Sequence, residues 1–276
     1  MTDLFQTWME HSPSIQKTID ESPEALFVFD CDQTLINGDI GEAVFRRAIN
    51  QRWFISHDAF WLHLIEGEFL EKQVNHWRKC YEQESQELTR YTHTLSDELW
   101  AAYLELCHRD VFSAYVLAAR LSYQRTPVEL ALFTQETLAA DDKVCIRPRM
   151  MTFVERLQTI GKVWVVSSSH IDIVRVIAYH YNIPSTQVVG LDFTRIIETS
   201  CYSDQLITPA PIGVDKVSAF KQHHQIRPVL MSGDSKHDFP MMNHAHHGLF
   251  IDHHRDQELK DQALAISALS ISATLL

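Results

Sequence analysis

Short, wholly apolar runs recur along this chain at intervals that leave room for a helix between them. Ala25-Leu26-Phe27-Val28-Phe29 is the first, and it has the composition of a strand covered on both faces in a parallel sheet. Lys162-Val163-Trp164-Val165-Val166 is the second and ends in Ser167. Residues 188–191 and 229–231 continue the series, and 249–251 predict a final strand. Helical periodicity fills the intervals at 152–161, closed by Gly161, and at 171–181, 214–224 and 239–244. Residues 196–207 predict a small β-hairpin. Strand and helix alternate, so the expected fold class is α/β, with a doubly wound parallel sheet. Residues 1–24 predict a helical lead-in, broken at Ser22-Pro23. Residues 262–276 are apolar but interrupted by serines. They predict a terminal core helix, being shorter than the ~18 residues that cross a bilayer.

The pattern changes between residues 37 and 145. Helix formers and aromatics dominate there, the sole proline is Pro127, and no strand-like alternation persists. Thr126-Pro127 is a helix start, with Thr126 as cap and Pro127 in the first turn. Arg147-Pro148 marks the return to the alternating pattern. The expected organisation is a Rossmann-like core of residues 1–36 and 146–276, with an all-helical cap of residues 37–145 inserted after the first strand.

Composition narrows the function classes. A net charge of −12 and the absence of a basic stripe argue against nucleic acid, whose phosphates are met by clustered Lys and Arg. The five cysteines, Cys31, Cys80, Cys107, Cys145 and Cys201, are scattered, as free thiols in a reducing, cytoplasmic compartment would be. The first residues lack the basic and apolar segments of a secretory signal, and no transmembrane segment is expected. Nothing in the pattern sets an oligomeric state.

The candidate chemistry sits where the apolar runs end. Asp30-Cys31-Asp32-Gln33-Thr34 follows directly on the first run. Open α/β sheets bind ligands at the carboxyl ends of their strands, and two acids there would be costly to bury without partners or a metal. Ser167 ends the second run. Gly233-Asp234-Ser235, with Asp238 beyond, ends the run at 229–231, and Lys216 opens the helix of residues 214–224. Polar groups at three strand ends and one lysine predict a single crevice.

This ordered set resembles the haloacid dehalogenase superfamily of phosphohydrolases across residues 25–252. Asp30, Asp32 and Thr34 match its first motif, Ser167 its second, Lys216 its third, and Gly233-Asp234-Ser235 with Asp238 its fourth. Residues 37–42 and 166–169 are similar to the helical-capped branch that includes phosphoserine and phosphocholine phosphatases. The resemblance implies a phosphatase with Asp30 as nucleophile, forming an aspartyl-phosphate intermediate. It implies Asp32 as general acid and then general base. The dehalogenase branch lacks this second aspartate. It further implies Mg²⁺ held by Asp30, Asp234 and the Asp32 carbonyl, with Asp238 ligating through water or orienting Lys216. Ser167 and Lys216 would bind the transferring phosphoryl group. Gln33 departs from the family, standing where a glycine is frequent.

Substrate choice is expected to lie with the cap. Asp39 occupies the position where phosphoserine phosphatases carry an acid that meets the substrate amine, although Asp39-x-x-Glu42 also has the form of a capping box. Thr34 is placed with Ser167, Lys216 and Asp39 among the substrate-binding candidates, with a mainly structural part in the loop. Ser168 and Ser169 read as turn and cap residues. Trp53, Phe54, Phe60, Trp61, Trp77 and Tyr81 could cage a quaternary ammonium, but at helical spacing they predict core packing. Of the many histidines in the last third, His237 is the one expected near the site, and zinc is not expected. The expected substrate is a small-molecule phosphomonoester. The same chemistry on a phosphotyrosine protein, or a phosphate-binding scaffold without turnover, are the alternatives.

Overall fold

Alternate residues of the first strand serve two different cores, and this two-sidedness organises the fold. A computed structural model describes residues 3–83, 92–254, 256–266 and 268–276. The chain divides into two compact units. Unit 1 comprises Met1–Asp39, Asp142–Gly190 and Thr208–Leu276, and unit 2 comprises Ile40–Asp141 and Leu191–Ile207. In chain order the elements are α1 (Leu4–His11), α2 (Ser14–Glu21), β1 (Leu26–Phe29) and β2 (Ile36–Asn37). There follow α3 (Ile40–Asn50), α4 (Asp58–Glu66), α5 (Glu71–Gln83), α6 (Thr92–Arg109), α7 (Val111–Ala119) and α8 (Pro127–Ala140). Then come β3 (Cys145–Ile146), α9 (Pro148–Gln158), β4 (Lys162–His170), α10 (Ile171–His180) and β5 (Val188–Leu191). The last are β6 (Phe193–Arg195), β7 (Tyr202–Leu206), α11 (Asp215–Lys221), β8 (Leu230–Gly233), α12 (Phe239–His244), β9 (His247–Asp252), α13 (Gln257–Ala265) and β10 (Leu269–Ser272).

The main sheet runs in the order β10-β9-β8-β1-β4-β5. β1 pairs parallel with β4 and with β8, and β9 pairs parallel with β8 and with β10. The strand order reverses at β1, so the switch-point crevice opens at its carboxyl end. Every residue of β1 is buried. On one face Leu26 and Val28 join Trp164, Phe220, Met231 and Met241. On the other, Phe27 and Phe29 meet Trp8 of α1 and Phe153 of α9 edge to face, at centroid distances of 6.1 and 6.0 Å. The period of two in a strand produces both cores from one continuous apolar run.

Unit 2 is mostly helical. Phe54 stacks on Tyr81 at 4.3 Å, Trp53 on Phe133 at 4.5 Å, and Phe45 lies 5.0 Å from Tyr103. Thr126 caps α8 as the sequence predicts: its hydroxyl accepts from the Glu129 N–H, and the Glu129 carboxylate accepts from the Thr126 N–H at 2.7 Å. The antiparallel β6–β7 hairpin groups with these helices, not with the sheet. It joins them through backbone bonds from Gln124 N–H to the Tyr202 carbonyl and from Tyr202 N–H to the Arg125 carbonyl, both 2.9 Å. The unit boundaries therefore differ from those read along the chain. A contiguous insertion can be seen as a change of composition, whereas this hairpin lies inside the alternating half. Two further elements depart from expectation. Residues 262–276 form the end of α13 and then β10, an edge strand on β9, not one helix. β2 and β3 pair antiparallel at Ile36↔Ile146 and Asn37↔Cys145, too short a pairing to leave a period. Among the described residues no helix is long and apolar enough to cross a membrane.

Candidate active site

Asp30 extends β1 by one residue, its N–H donating to the Ser232 carbonyl of β8 at 2.9 Å. This continued ladder places its side chain on the face of Leu26 and Val28, toward α11. There the Lys216 ammonium donates to Asp30 Oδ1 and to Asp238 Oδ1, both at 2.6 Å. All three side chains are buried. Burial works to lower the Lys216 pKa, but the Asp238 and Asp30 carboxylates outweigh it and raise it, so the ammonium stays charged.

Asp234 follows β8 immediately, and carboxylate oxygens of Asp30, Asp234 and Asp238 lie within 4.8 Å of one another. Burial, together with the neighbouring carboxylates, pushes Asp30 up to about 7 against the pull of Lys216. Burial first, then Asp238 and Asp30, raises Asp234 well above the carboxylate range. Three acids share one ammonium, so the cluster is short of positive charge. An oxygen-only donor set of this kind suits a hard divalent cation.

Asp238 is the most fully engaged of the three. Its Oδ2 accepts from the Ser235 hydroxyl at 2.8 Å and from the N–H groups of Ser235 and Asp234 at 3.1 and 3.3 Å. The carboxylate thus closes the loop after β8 and holds Lys216 at once, which leaves Asp30 and Asp234 the better placed to meet a cation. Gly233 makes this closure possible: a Cβ there would lie 2.3 Å from Asp238 Cβ.

Asp32 faces β4. Ser169 Oγ donates to its Oδ2 at 2.7 Å, and Ser167 Oγ lies 3.4 Å from the same oxygen. The Ser167 hydroxyl also accepts from the Ser169 N–H at 3.0 Å. Ser169 was expected as a turn or cap residue; β4 instead runs on to His170, so residues i and i+2 share a face and both serines reach Asp32.

The intervening loop is tied from two sides. Gln33 takes φ = 58°, the left-handed conformation that explains why glycine suits this position. Its carbonyl accepts from Arg147 Nη2 at 3.1 Å and from His253 Nε2 at 3.0 Å. His253 Nε2 also stands 3.8 Å from Asp234 Oδ2. His253 is thus a histidine at the site. The signal existed in the sequence, because His253 follows β9 as Asp234 follows β8.

Thr34 does not fit a substrate-binding role. It is fully buried and among the described residues its hydroxyl has no hydrogen-bond partner, so it offers no surface to a ligand. Cys31 is also fully buried, and burial with the adjacent Asp32 and Asp30 raises its thiol pKa, which makes it packing and not a nucleophile. Asp39 is the last residue of unit 1. Within unit 2, Glu42 accepts from the Tyr103 hydroxyl at 3.2 Å. Phe54, Phe60, Trp61 and Tyr81 are buried and pack on one another, and the buried Trp77 meets Phe69, as helical spacing predicts.

Three solved structures share the fold. A conserved protein of unknown function from Anaerococcus prevotii aligns with a TM-score of 0.67 and 18% identity, over 94% of this chain and 91% of its own. A protein of unknown function from Bordetella pertussis aligns with a TM-score of 0.61 and 14% identity, over 91% and 99%. A haloacid dehalogenase family hydrolase from Salmonella enterica serovar Typhi aligns with a TM-score of 0.50 and 12% identity, over 98% and 77%. No curated protein matches the sequence significantly. The family of haloacid dehalogenase-like hydrolases, however, matches residues 27–243, a span that runs from β1 to α12 and contains Asp30, Asp32, Ser167, Lys216, Asp234 and Asp238. With these side chains gathered at the carboxyl ends of β1, β4 and β8, the chain belongs to the haloacid dehalogenase-like hydrolases.

Proposed function

We propose that this hydrolase is a Mg²⁺-dependent phosphomonoesterase that acts through Asp30 on a small-molecule phosphate. The observation that carries the reading is the buried Asp30–Lys216–Asp238 relay beside a second, separately held carboxylate, Asp32. Asp30 and Asp234, with the Asp32 carbonyl, would hold the metal ion, which when bound supplies charge neutralisation for an anionic ester.

The chain's own residues account for the rest. Lys216 holds Asp30 and, together with the charge of a bound metal ion, favours its carboxylate form for in-line attack. An Asp30 oxygen forms a bond to phosphorus as the ester P–O bond breaks. Asp32 gives its proton to the departing alkoxide, and Ser167 donates to the phosphoryl oxygens. Asp32, now a carboxylate, then takes a proton from water as that water attacks phosphorus. The bond to Asp30 breaks, inorganic phosphate leaves, and Asp32 is protonated for the next cycle. The preference for phosphoserine- or phosphocholine-like esters rests on the resemblance of residues 37–42, with Asp39 as the residue that would meet a cationic group.

Hydrolysis of an aryl phosphate, measured with EDTA or with added Mg²⁺, tests the reading. Turnover should require Mg²⁺ and disappear in Asp30→Asn. Turnover that survives in Asp30→Asn overturns the nucleophile assignment.

A further inference from the structure

A cavity of about 550 Å³ lies at the other end of the sheet, within unit 1. Arg227, His246 and His247, which line it, stand where β8 and β9 begin, whereas Asp234 and His253 follow where those strands end. Four strand residues separate the two ends by about 13 Å. The loop between α1 and α2 closes the cavity from the other side with Ser12 and Ser14, next to His11 at the end of α1.

The lining has one sign of charge. It includes Arg227, His11, His246 and His247, and it includes no Asp or Glu, in a chain whose net charge is −12. Arg227 is anchored: Nε donates to the His244 carbonyl at 2.9 Å and Nη2 to the Ala245 carbonyl at 2.7 Å. Among the described residues no hydrogen bond uses its Nη1. Burial lowers the pKa of His247, and His246, His11 and Arg227 lower it further; burial and Arg227 do the same to His246. Arg227 is the one permanent charge of the lining.

Trp8 supplies an independent observation. It lines the cavity, is fully buried, and among the described residues its indole N–H has no hydrogen-bond partner, although a buried tryptophan ordinarily finds one. A zinc site is not the explanation. Among the described residues, the ligand group whose atoms all lie within 4.8 Å of one another is the one at Asp30, Asp234 and Asp238. The volume falls in the small-molecule range of roughly 300–1,000 Å³, and Met242 and Ile266 add apolar surface.

We infer that this cavity is a second ligand site, separate from the catalytic carboxylates, that binds a small organic anion bearing a carboxylate or a phosphate. Arg227 supplies the permanent charge, the histidines adaptable donors, and Ile266 the apolar contact.

The test follows the Trp8 indole N–H resonance, identified by its loss in Trp8→Phe. The intact chain is titrated in EDTA with inorganic phosphate and, separately, with benzoate. A saturable shift of this resonance is expected, with affinity reduced about tenfold in His246→Gln and more in Arg227→Gln. His246 is exposed, so its substitution leaves the fold intact if Arg227→Gln does not. A response to phosphate alone or to benzoate alone identifies which oxyanion the site takes. An unmoved Trp8 signal with both anions, or an equal affinity in His246→Gln and wild type, overturns the inference.

Discussion

Single residues decide how the two carboxylates of the first motif are told apart. Asp30 is held by a buried ammonium, whose charge favours the carboxylate against the pull of burial, and Asp32 by two neutral hydroxyls. Removing the shorter hydroxyl contact should loosen Asp32 without touching Asp30. Ser169→Ala is expected to lower kcat about tenfold, the equivalent of one lost hydrogen bond. Its KM should change little, and a steady-state comparison checks this; a raised KM at unchanged kcat would reassign Ser169 to substrate binding. Gln33 offers a contrary case, a residue held at positive φ whose buried amide oxygen has no partner among the described residues. Gln33→Gly keeps the backbone bonds to Arg147 and His253 and relieves the left-handed strain. It should raise stability by about 1 kcal/mol in urea unfolding.

At the scale of elements, legibility followed periodicity. β1, β4 and β8 were visible because a strand buried on both faces is a continuous apolar run, and their polar ends exposed the site with them. Asp30, Asp32, Ser167 and Asp234 could be found that way, whereas Lys216, at the start of a helix, and Asp238, beyond the strand-end loop, stood out through the resemblance of the ordered set. α8 was visible because its capping box is local chemistry, and it carries a local prediction. Thr126→Ala should cost about 1 kcal/mol of stability in thermal or urea unfolding, and an unchanged midpoint would show that the cap bond contributes nothing. β10 was not visible. Its four residues end in serine and are only partly buried, so nothing separates them from a fraying helix until β9 is there to pair with. Ser169 and His253 escape the pattern for a different reason, since each lies two residues past the predicted end of its strand, at Ser167 and at Ile251.

The molecule as a whole carries three clustered acids against one buried ammonium, so it should be measurably incomplete without a divalent cation. Mg²⁺ at about a hundredfold excess over its Kd is expected to raise Tm by roughly 5 °C, reversed by chelation. Asp234→Asn should abolish the response, and an equal rise in that variant would place the cation elsewhere. The division into two units has a separate consequence, which concerns the order in which the chain is made. The helices of unit 2 leave the ribosome before residue 142, but the hairpin that bonds to residues 123–125 arrives only with residues 193–206. Between those moments β4, α10 and β5 are synthesised, and β1 must be kept available for β4. A nascent chain halted before residue 190 would therefore present an unfinished helical unit, with the backbone around Tyr123 unpaired by its strand. Neither unit can be cut out as one continuous stretch of gene. A biochemist who wants the helical part alone must rejoin the hairpin to it through a new linker, and co-translational chaperones meet the same gap each time the protein is made.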